Sequence, residues 1–326
     1  MMDPKGLHGA IAPVYTVFDE TGAFDESGQR AFLDYLAETG GLTAYFVRSG
    51  LGQMYAFSYE EVRAITRIAC GHFAGKAPVF VGTTGIWDRN LDRRPDPDVF
   101  LEQAVSLSRY AQDCGAAAVV HTMPEAITPV AHEGFDDVIL RYFEAVTQAV
   151  SIPVIAYQPP ITEEPYRATP RLLARLADMP GLAAIKASTL NAEYLFNLAW
   201  AVRDKNFAII AGCETVYYVA LCLGINATIG QGCTTNPRVI RAIEDRFRAG
   251  DRAGAIAAQA SVNRLVAGIR NVTEFTKRYA REQGRAIPVY TRRFVNNPYW
   301  THPEPLSEAE YQAAKALFLA ETAPYA

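Results

Sequence analysis

Pro153-Val-Ile-Ala-Tyr157 and Leu182-Ala-Ala-Ile-Lys186, with a stretch at 170–177 between them whose apolar residues recur every three or four positions, make one strand–helix–strand unit. Each apolar run is continuous and only about five residues long, as expected of a strand buried on both faces of a parallel sheet. The same unit recurs outward in both directions. Apolar runs at 8–14, 42–47, 78–81, 116–121, 207–211 and 226–230 complete a set of eight, and helical stretches at 26–39, 59–71, 98–114, 135–149, 191–204 and 215–223 lie between them. Strict alternation with eight such strands predicts an α/β chain folded as a (β/α)8 TIM barrel. An open doubly wound sheet is the rival arrangement, but no G-x-G-x-x-G follows the first strand to hold a dinucleotide. Helical patterns at 237–249, 252–268, 273–283 and 307–319 close the chain. The barrel is therefore expected over 1–236, with a C-terminal helical extension over 237–326 packed on it as part of a single unit.

A chain of 326 residues, half of them apolar, is long enough to bury a large core. Its formal charge of −4 and evenly spread arginines leave no basic footprint for nucleic acid or an anionic membrane surface. No apolar run approaches the roughly 20 residues of a membrane span, and the first residues do not read as a secretory signal. A cytoplasmic protein acting on a small molecule is the expectation. The five cysteines are odd in number and lack a C-x-x-C spacing, so they read as reduced thiols. The histidines are scattered, and no His/carboxylate spacing resembles a metal site.

In a barrel of this kind the chemistry gathers where the strands end. That rule collects Thr16, Arg48 with Ser49, Thr83 with Thr84, His121, Tyr157, Lys186, Cys213 with Glu214, and Gly230 with Gln231 around one mouth. Of the six lysines, Lys186 alone is embedded in an apolar strand. Desolvation disfavours an ammonium and leaves the free amine, the form that attacks a carbonyl carbon. A strand-end lysine whose amine reaches water or a carboxylate is the plain alternative. Tyr157 ends the preceding strand, which brings a phenol within reach of that amine as a general acid/base.

Three segments carry a resemblance to the dihydrodipicolinate synthase and N-acetylneuraminate lyase family of class I aldolases. Ala12-Pro-Val-Tyr-Thr-Val-Phe18 resembles the family's opening strand, Ile152-Pro-Val-Ile-Ala-Tyr-Gln-Pro-Pro160 its P-x-x-x-Y-N-x-P segment, and Ala184-Ile-Lys-Ala-Ser188 its G-I-K-[DE]-[SA]. The resemblance implies that Lys186 forms a Schiff base with a 2-oxo acid, usually pyruvate, and that Tyr157 shuttles protons. It also implies that Ser49 to Gln53 replace the loop G-T-T-G-E, which grips the carboxylate. Both threonine hydroxyls are missing here, so the backbone N–H groups of Gly50 and Leu51, with Ser49 or Arg48, are left to bind the anion, unless Arg48 faces the core and pairs with a carboxylate. The literal Gly82-Thr-Thr-Gly85 follows the third strand instead of the second, and Thr83 and Thr84 either contact a ligand or serve ordinary turn chemistry.

Other departures bear on the substrate. The synthases carry a paired tyrosine after the fourth strand and an arginine after the fifth; this chain has His121-Thr-Met-Pro-Glu125 and Ile161-Thr162 there, so lysine-biosynthetic synthase activity is not expected. His121 either replaces part of that relay or serves as a structural donor. Gly212-Cys-Glu-Thr215 resembles the G-x-D-E turn of the sugar-acid lyases, and Glu214 binds a polyol, serves as an acid/base or caps a helix. Thr228 to Gln231 matches an eighth-strand turn in which Ile229 and Gly230 approach the ketoacid. The resemblance thus implies a lyase without metal or organic cofactor, assembled as a dimer of dimers. Loss of water from a 2-keto-3-deoxy sugar acid by the same imine and a binding barrel without turnover are the alternatives. Tyr55, Phe57 and Trp87 would frame an aromatic aldehyde or simply fill the core.

Overall fold

A computed structural model describes residues 3–293 and 304–326. Eight parallel strands close into a barrel in chain order: β1 (Gly9–Pro13), β2 (Leu42–Val47), β3 (Val79–Gly82), β4 (Ala118–Thr122), β5 (Val154–Gln158), β6 (Leu182–Ala187), β7 (Ala208–Ala211) and β8 (Ala227–Thr228). Helices α1 (Glu26–Thr39), α2 (Tyr59–Phe73), α3 (Pro97–Asp113), α4 (Phe135–Ala149), α5 (Pro170–Leu176), α6 (Ala192–Val202) and α7 (Tyr217–Cys222) follow the first seven strands. All eight runs expected to be strands are strands. The last is only two residues long, because the chain turns at Gly230 into a short helix, α8 (Gln231–Thr235), which the sequence pattern did not reveal.

Side chains alternate across each strand, so every second residue points into the barrel. Ile11, Phe46, Phe80, Val120, Ile155, Ala184, Ile210 and Ala227 form the inner cluster, whereas Val47, Val81, Val119, Ala156 and Ile185 face the helices. Residues two positions beyond the inner cluster therefore reach the C-terminal mouth: Thr122 beyond Val120, Tyr157 beyond Ile155 and Lys186 beyond Ala184. Register fixes their order around the rim, with Thr122 paired to Tyr157 and Tyr157 to Lys186.

The helices start where local chemistry supplies their first N–H groups with acceptors. Ser58 and Glu61 form a capping box on α2, and Asp96 caps α3 ahead of Pro97. Beyond α8 come α9 (Pro237–Arg248), α10 (Arg252–Gly268), α11 (Val272–Glu282) and α12 (Glu308–Thr322). They are tied into the barrel by polar contacts as well as apolar ones. Lys277 of α11, fully buried, donates to Thr16 O at 2.7 Å and Tyr290 O at 2.9 Å, while α8 is held by Tyr15 OH, which donates to Gln231 O at 3.0 Å. No helix among the described residues is long and apolar enough to cross a membrane.

Candidate active site

Lys186 and Tyr157 meet at the mouth because adjacent parallel strands put them in register. The amine sits 4.0 Å from the centre of the Tyr157 ring and 5.7 Å from that of Phe46, and the two rings meet edge to face. Lys186 is only 4% exposed. Its surroundings are thus aromatic and desolvated, apart from a cleft of about 820 Å³ that opens above it, bordered by Leu51, Ser188, Tyr194, Glu214 and Gly230.

Across this cleft lies the turn after β2. Ser49 Oγ accepts from Gly52 N at 3.0 Å and lies 3.4 Å from Val14 O, so the hydroxyl is turned toward β1 and holds the turn together. Gly52 has no room for a side chain, since a Cβ there would stand 2.6 Å from Val14 O. The N–H groups of Gly50 and Leu51 make no hydrogen bond among the described residues, and Leu51 borders the cleft. Gln53, in the left-handed region with φ 62°, donates to Arg292 O at 2.6 Å and accepts from Arg292 N at 3.1 Å, so it ties the turn to the chain beyond α11.

Arg48 does not join this cleft, contrary to the expectation that it shares in binding the anion. Its backbone is left-handed, with φ 49°, and its buried guanidinium reaches four carbonyls: Met54 O at 3.2 Å, Gly82 O at 3.3 Å, Thr84 O at 2.5 Å and Gly85 O at 3.4 Å. Burial pulls its pKa down to about 10, which leaves it charged at neutral pH. Arg48 therefore braces the loops after β2 and β3 and borders a separate enclosed cavity, with Tyr55, Trp87, Glu125 and Tyr157.

His121 is also displaced from its expected place. Strand parity turns it outward with Val119, between β4 and the helices, where Nε2 is 2.8 Å from Thr83 Oγ1 and 3.0 Å from Ser108 Oγ, and Nδ1 is 2.9 Å from Tyr142 OH. Burial drives its pKa down to about 3, so the ring is neutral and its nitrogens are engaged. Its neighbour Thr122 faces inward instead. The run 116–121 is apolar on both faces, so its sequence does not say which parity points inward; barrel closure turns Thr122 to the mouth and His121 away. The threonines of Gly82-Thr-Thr-Gly85 are engaged within the protein: Thr83 bonds His121, and Thr84 Oγ1 accepts from Thr122 N at 2.9 Å.

On the far side of Lys186, Glu214 is buried with Oε1 accepting the Gly232 N–H at 2.8 Å, at the start of α8. Burial pushes its carboxyl above the usual range, while Gly232 N–H and the Lys186 charge oppose the rise. Its Oε2 occupies the space a side chain at Gly230 would need. Gly230 and Ile229 both border the cleft, and Ile229 belongs to the inner cluster. Of the three aromatics named from sequence, Tyr55 and Trp87 border the enclosed cavity and Phe57 packs in the outer core, so none frames the cleft.

Sequence reading missed the buried pair Arg89–Glu125. Arg89, left-handed with φ 56°, donates from Nη2 to Glu125 Oε1 at 2.9 Å and to Ile161 O at 2.8 Å. Nothing local marks Arg89, which lies in the charged loop 88–97, far in sequence from its partner.

A model of the dihydrodipicolinate synthetase family matches residues 6–277. The putative 2-dehydro-3-deoxy-D-gluconate aldolase YagE of Escherichia coli K12 is 29% identical over 251 residues, 76% of each chain. The YagE crystal structure in complex with pyruvate superposes with a TM-score of 0.77 at 24% identity, covering 96% of this chain and 98% of that one. A 4-hydroxy-tetrahydrodipicolinate synthase of Dechloromonas aromatica is 27% identical over 249 residues, 76% of this chain and 78% of its own. The N-acetylneuraminate lyase of Fusobacterium nucleatum shares the fold, with a TM-score of 0.79 at 18% identity over 97% of this chain and 99% of that one.

Proposed function

As the chain belongs to the dihydrodipicolinate synthetase family, we propose that it is a Schiff-base lyase for a 2-oxo acid of the pyruvate type, with Lys186 as the imine-forming amine and Tyr157 as the proton carrier. Class I aldolase chemistry follows from that membership. The observation that carries the assignment of residues is the amine of Lys186, 4% exposed and 4.0 Å from the Tyr157 ring, at the foot of the one large cleft at the C-terminal mouth among the described residues.

In this scheme the Lys186 amine attacks C2 of the 2-oxo acid, and Tyr157 protonates the departing hydroxyl as the carbinolamine loses water. The protonated imine then takes up the electron pair released at C3. Because the imine is itself the electron sink, the scheme uses no metal or organic cofactor. The open N–H groups of Gly50 and Leu51 take the carboxylate. Pyruvate fills only part of 820 Å³, and the polar residues Ser188, Thr189 and Glu214 border the cleft, which favours a hydroxylated tail and so a sugar-derived 2-keto-3-deoxy acid. With such a substrate, loss of water is the second reading, since the same enamine expels a C4 hydroxyl. The enzyme is proposed to act in the cytoplasm as a homo-oligomer, a dimer of dimers. The exposed stacked pair Phe196–Trp200 on α6, beside exposed Leu190, supports self-association.

Borohydride reduction in the presence of pyruvate tests the imine directly. A pyruvate-derived mass increase on the peptide bearing Lys186, absent from Lys186→Ala, is the expected result. Absence of any adduct with pyruvate or a panel of 2-keto-3-deoxy sugar acids would overturn the assignment, and product analysis on that panel separates carbon–carbon cleavage from dehydration.

A further inference from the structure

Tyr157 faces two spaces. Its ring underlies the Lys186 amine, and it also borders the enclosed cavity between the ends of β2, β3, β4 and β5, which measures about 20 Å³. That volume holds about one water molecule. Four titratable side chains border the cavity: Arg48, Tyr55, Glu125 and Tyr157. Arg48 stays charged at neutral pH, and burial pushes the Tyr55 phenol far above its ordinary range. Among these four, Glu125 is the carboxyl group, a base that can take a proton from a phenol and return it.

We propose that Glu125 is the relay partner of Tyr157, exchanging protons with the phenol through a single water in the cavity that both side chains border. The inference rests on the assignment of Lys186 and Tyr157 above. Glu125 is 1% exposed, and its two protein donors, Arg89 Nη2 at 2.9 Å and Glu163 N at 2.7 Å, both fall on Oε1. Burial outweighs Arg89 and pushes the carboxyl above the usual range. The charged and titratable groups around it are Arg89 from the loop after β3, Glu163 and Tyr166 from the segment after β5, and Tyr55 from the turn after β2.

The proton count closes. The phenol O–H bond breaks, its proton passes to the water, and a proton of that water passes to Glu125 Oε2. The phenolate then takes the C4 hydroxyl proton of the imine as the C3–C4 bond breaks, and the bonding pair moves into the iminium to give the enamine. When C3 is reprotonated, the proton comes from the phenol, which is refilled through the water from Glu125. The cycle leaves Glu125 as carboxylate and needs no redox partner. The whole relay lies within one chain.

Exchange of the pyruvate methyl protons in D2O, followed by NMR, reads the relay without knowledge of the natural substrate. Glu125→Gln keeps an oxygen acceptor for Arg89 and Glu163 N–H but carries no proton. It is expected to form the borohydride-trapped adduct on Lys186 as wild type does, while exchange falls by at least about 10²-fold and the acid limb of its pH profile disappears. Arg89→Met removes the charge that holds Glu125 down and moves the acid limb to higher pH, an effect that mere support of the loop would not produce. Wild-type exchange with an unchanged limb in Glu125→Gln would overturn the relay; should that variant not fold, an unmoved limb in Arg89→Met overturns it equally. No trapped adduct in the wild type refutes the Lys186 assignment itself, and the relay with it, whereas a trapped adduct with unchanged exchange refutes the relay alone.

Discussion

Gly230→Ala is a small change with a large expected cost, because a Cβ at residue 230 would stand 1.6 Å from Glu214 Oε2 and 2.4 Å from its carboxyl carbon. To reach ordinary contact the carboxyl must retreat by about 2 Å. Its Oε1 is held at 2.8 Å by Gly232 N–H, and a move of that size breaks this bond inside a site where Glu214 is 5% exposed. Losing a hydrogen bond on a buried carboxyl costs about 1.5–3 kcal/mol, and overpacking adds about 1–3 kcal/mol. A destabilisation of roughly 3–5 kcal/mol follows, or a fall of roughly 5–8 °C in Tm for a chain of this length. The assay is thermal unfolding of Gly230→Ala alone and in a Glu214→Ala background. With the carboxylate gone, only the 3.0 Å approach to the Glu214 backbone nitrogen persists, so most of the cost should vanish. A Tm within 1 °C of wild type, or the same loss in both backgrounds, would refute the packing of Glu214 beneath Gly230.

Tyr157→Phe should form the trapped adduct on Lys186 more slowly and lower pyruvate methyl exchange by about 10²–10⁴-fold, measured by NMR in D2O; undiminished exchange would remove the phenol from the scheme. His121→Leu should cost about 2–4 kcal/mol in chemical unfolding, since Tyr142, Thr83 and Ser108 lose a buried partner, yet leave Lys186 trapping intact. A folded His121→Leu protein that no longer traps pyruvate would contradict the outward placement of the ring. Burial pulls Lys277 down to about 7, whereas an unfolded lysine titrates near about 10.4, so between pH 7 and 9 the unfolded chain binds more protons and this residue makes stability rise with pH. Unfolding free energies at pH 7 and pH 9 should therefore show wild type gaining on Lys277→Met, at up to about 1.4 kcal/mol per pH unit; equal slopes would count against the depressed pKa. Trp200→Glu should shift sedimentation toward smaller species if the exposed Phe196–Trp200 pair is an assembly contact.

Much of this protein is legible in its chain. Short-range physics decides where strands and helices lie: continuous apolar runs such as Leu182-Ala-Ala-Ile cannot be left in water, and the segments between them bury one helical face. Eight repeats of that pattern determine the barrel, and the rule that strand ends carry the chemistry selects Lys186 and Tyr157. Which of His121 and Thr122 turns to the mouth is not written there, because the run before them is apolar on both faces.

What a side chain meets across the fold is settled differently. Arg48 was legible as a residue at a strand end, but its engagement by four carbonyls depends on how the turns after β2 and β3 close over it. Glu214 precedes a helix in sequence, yet its carboxyl serves the next one, because β8 is short and α8 begins beside it. Arg89 and Glu125 are 36 residues apart and carry no local pattern that pairs them. Hydrophobic periodicity is a property of neighbours along the chain and survives in the sequence alone. The partner of a buried polar group is set by neighbours in space, and only barrel closure, by ordering eight strand ends around one rim, brings the Lys186 amine, the Tyr157 phenol and the one-water cavity behind it together.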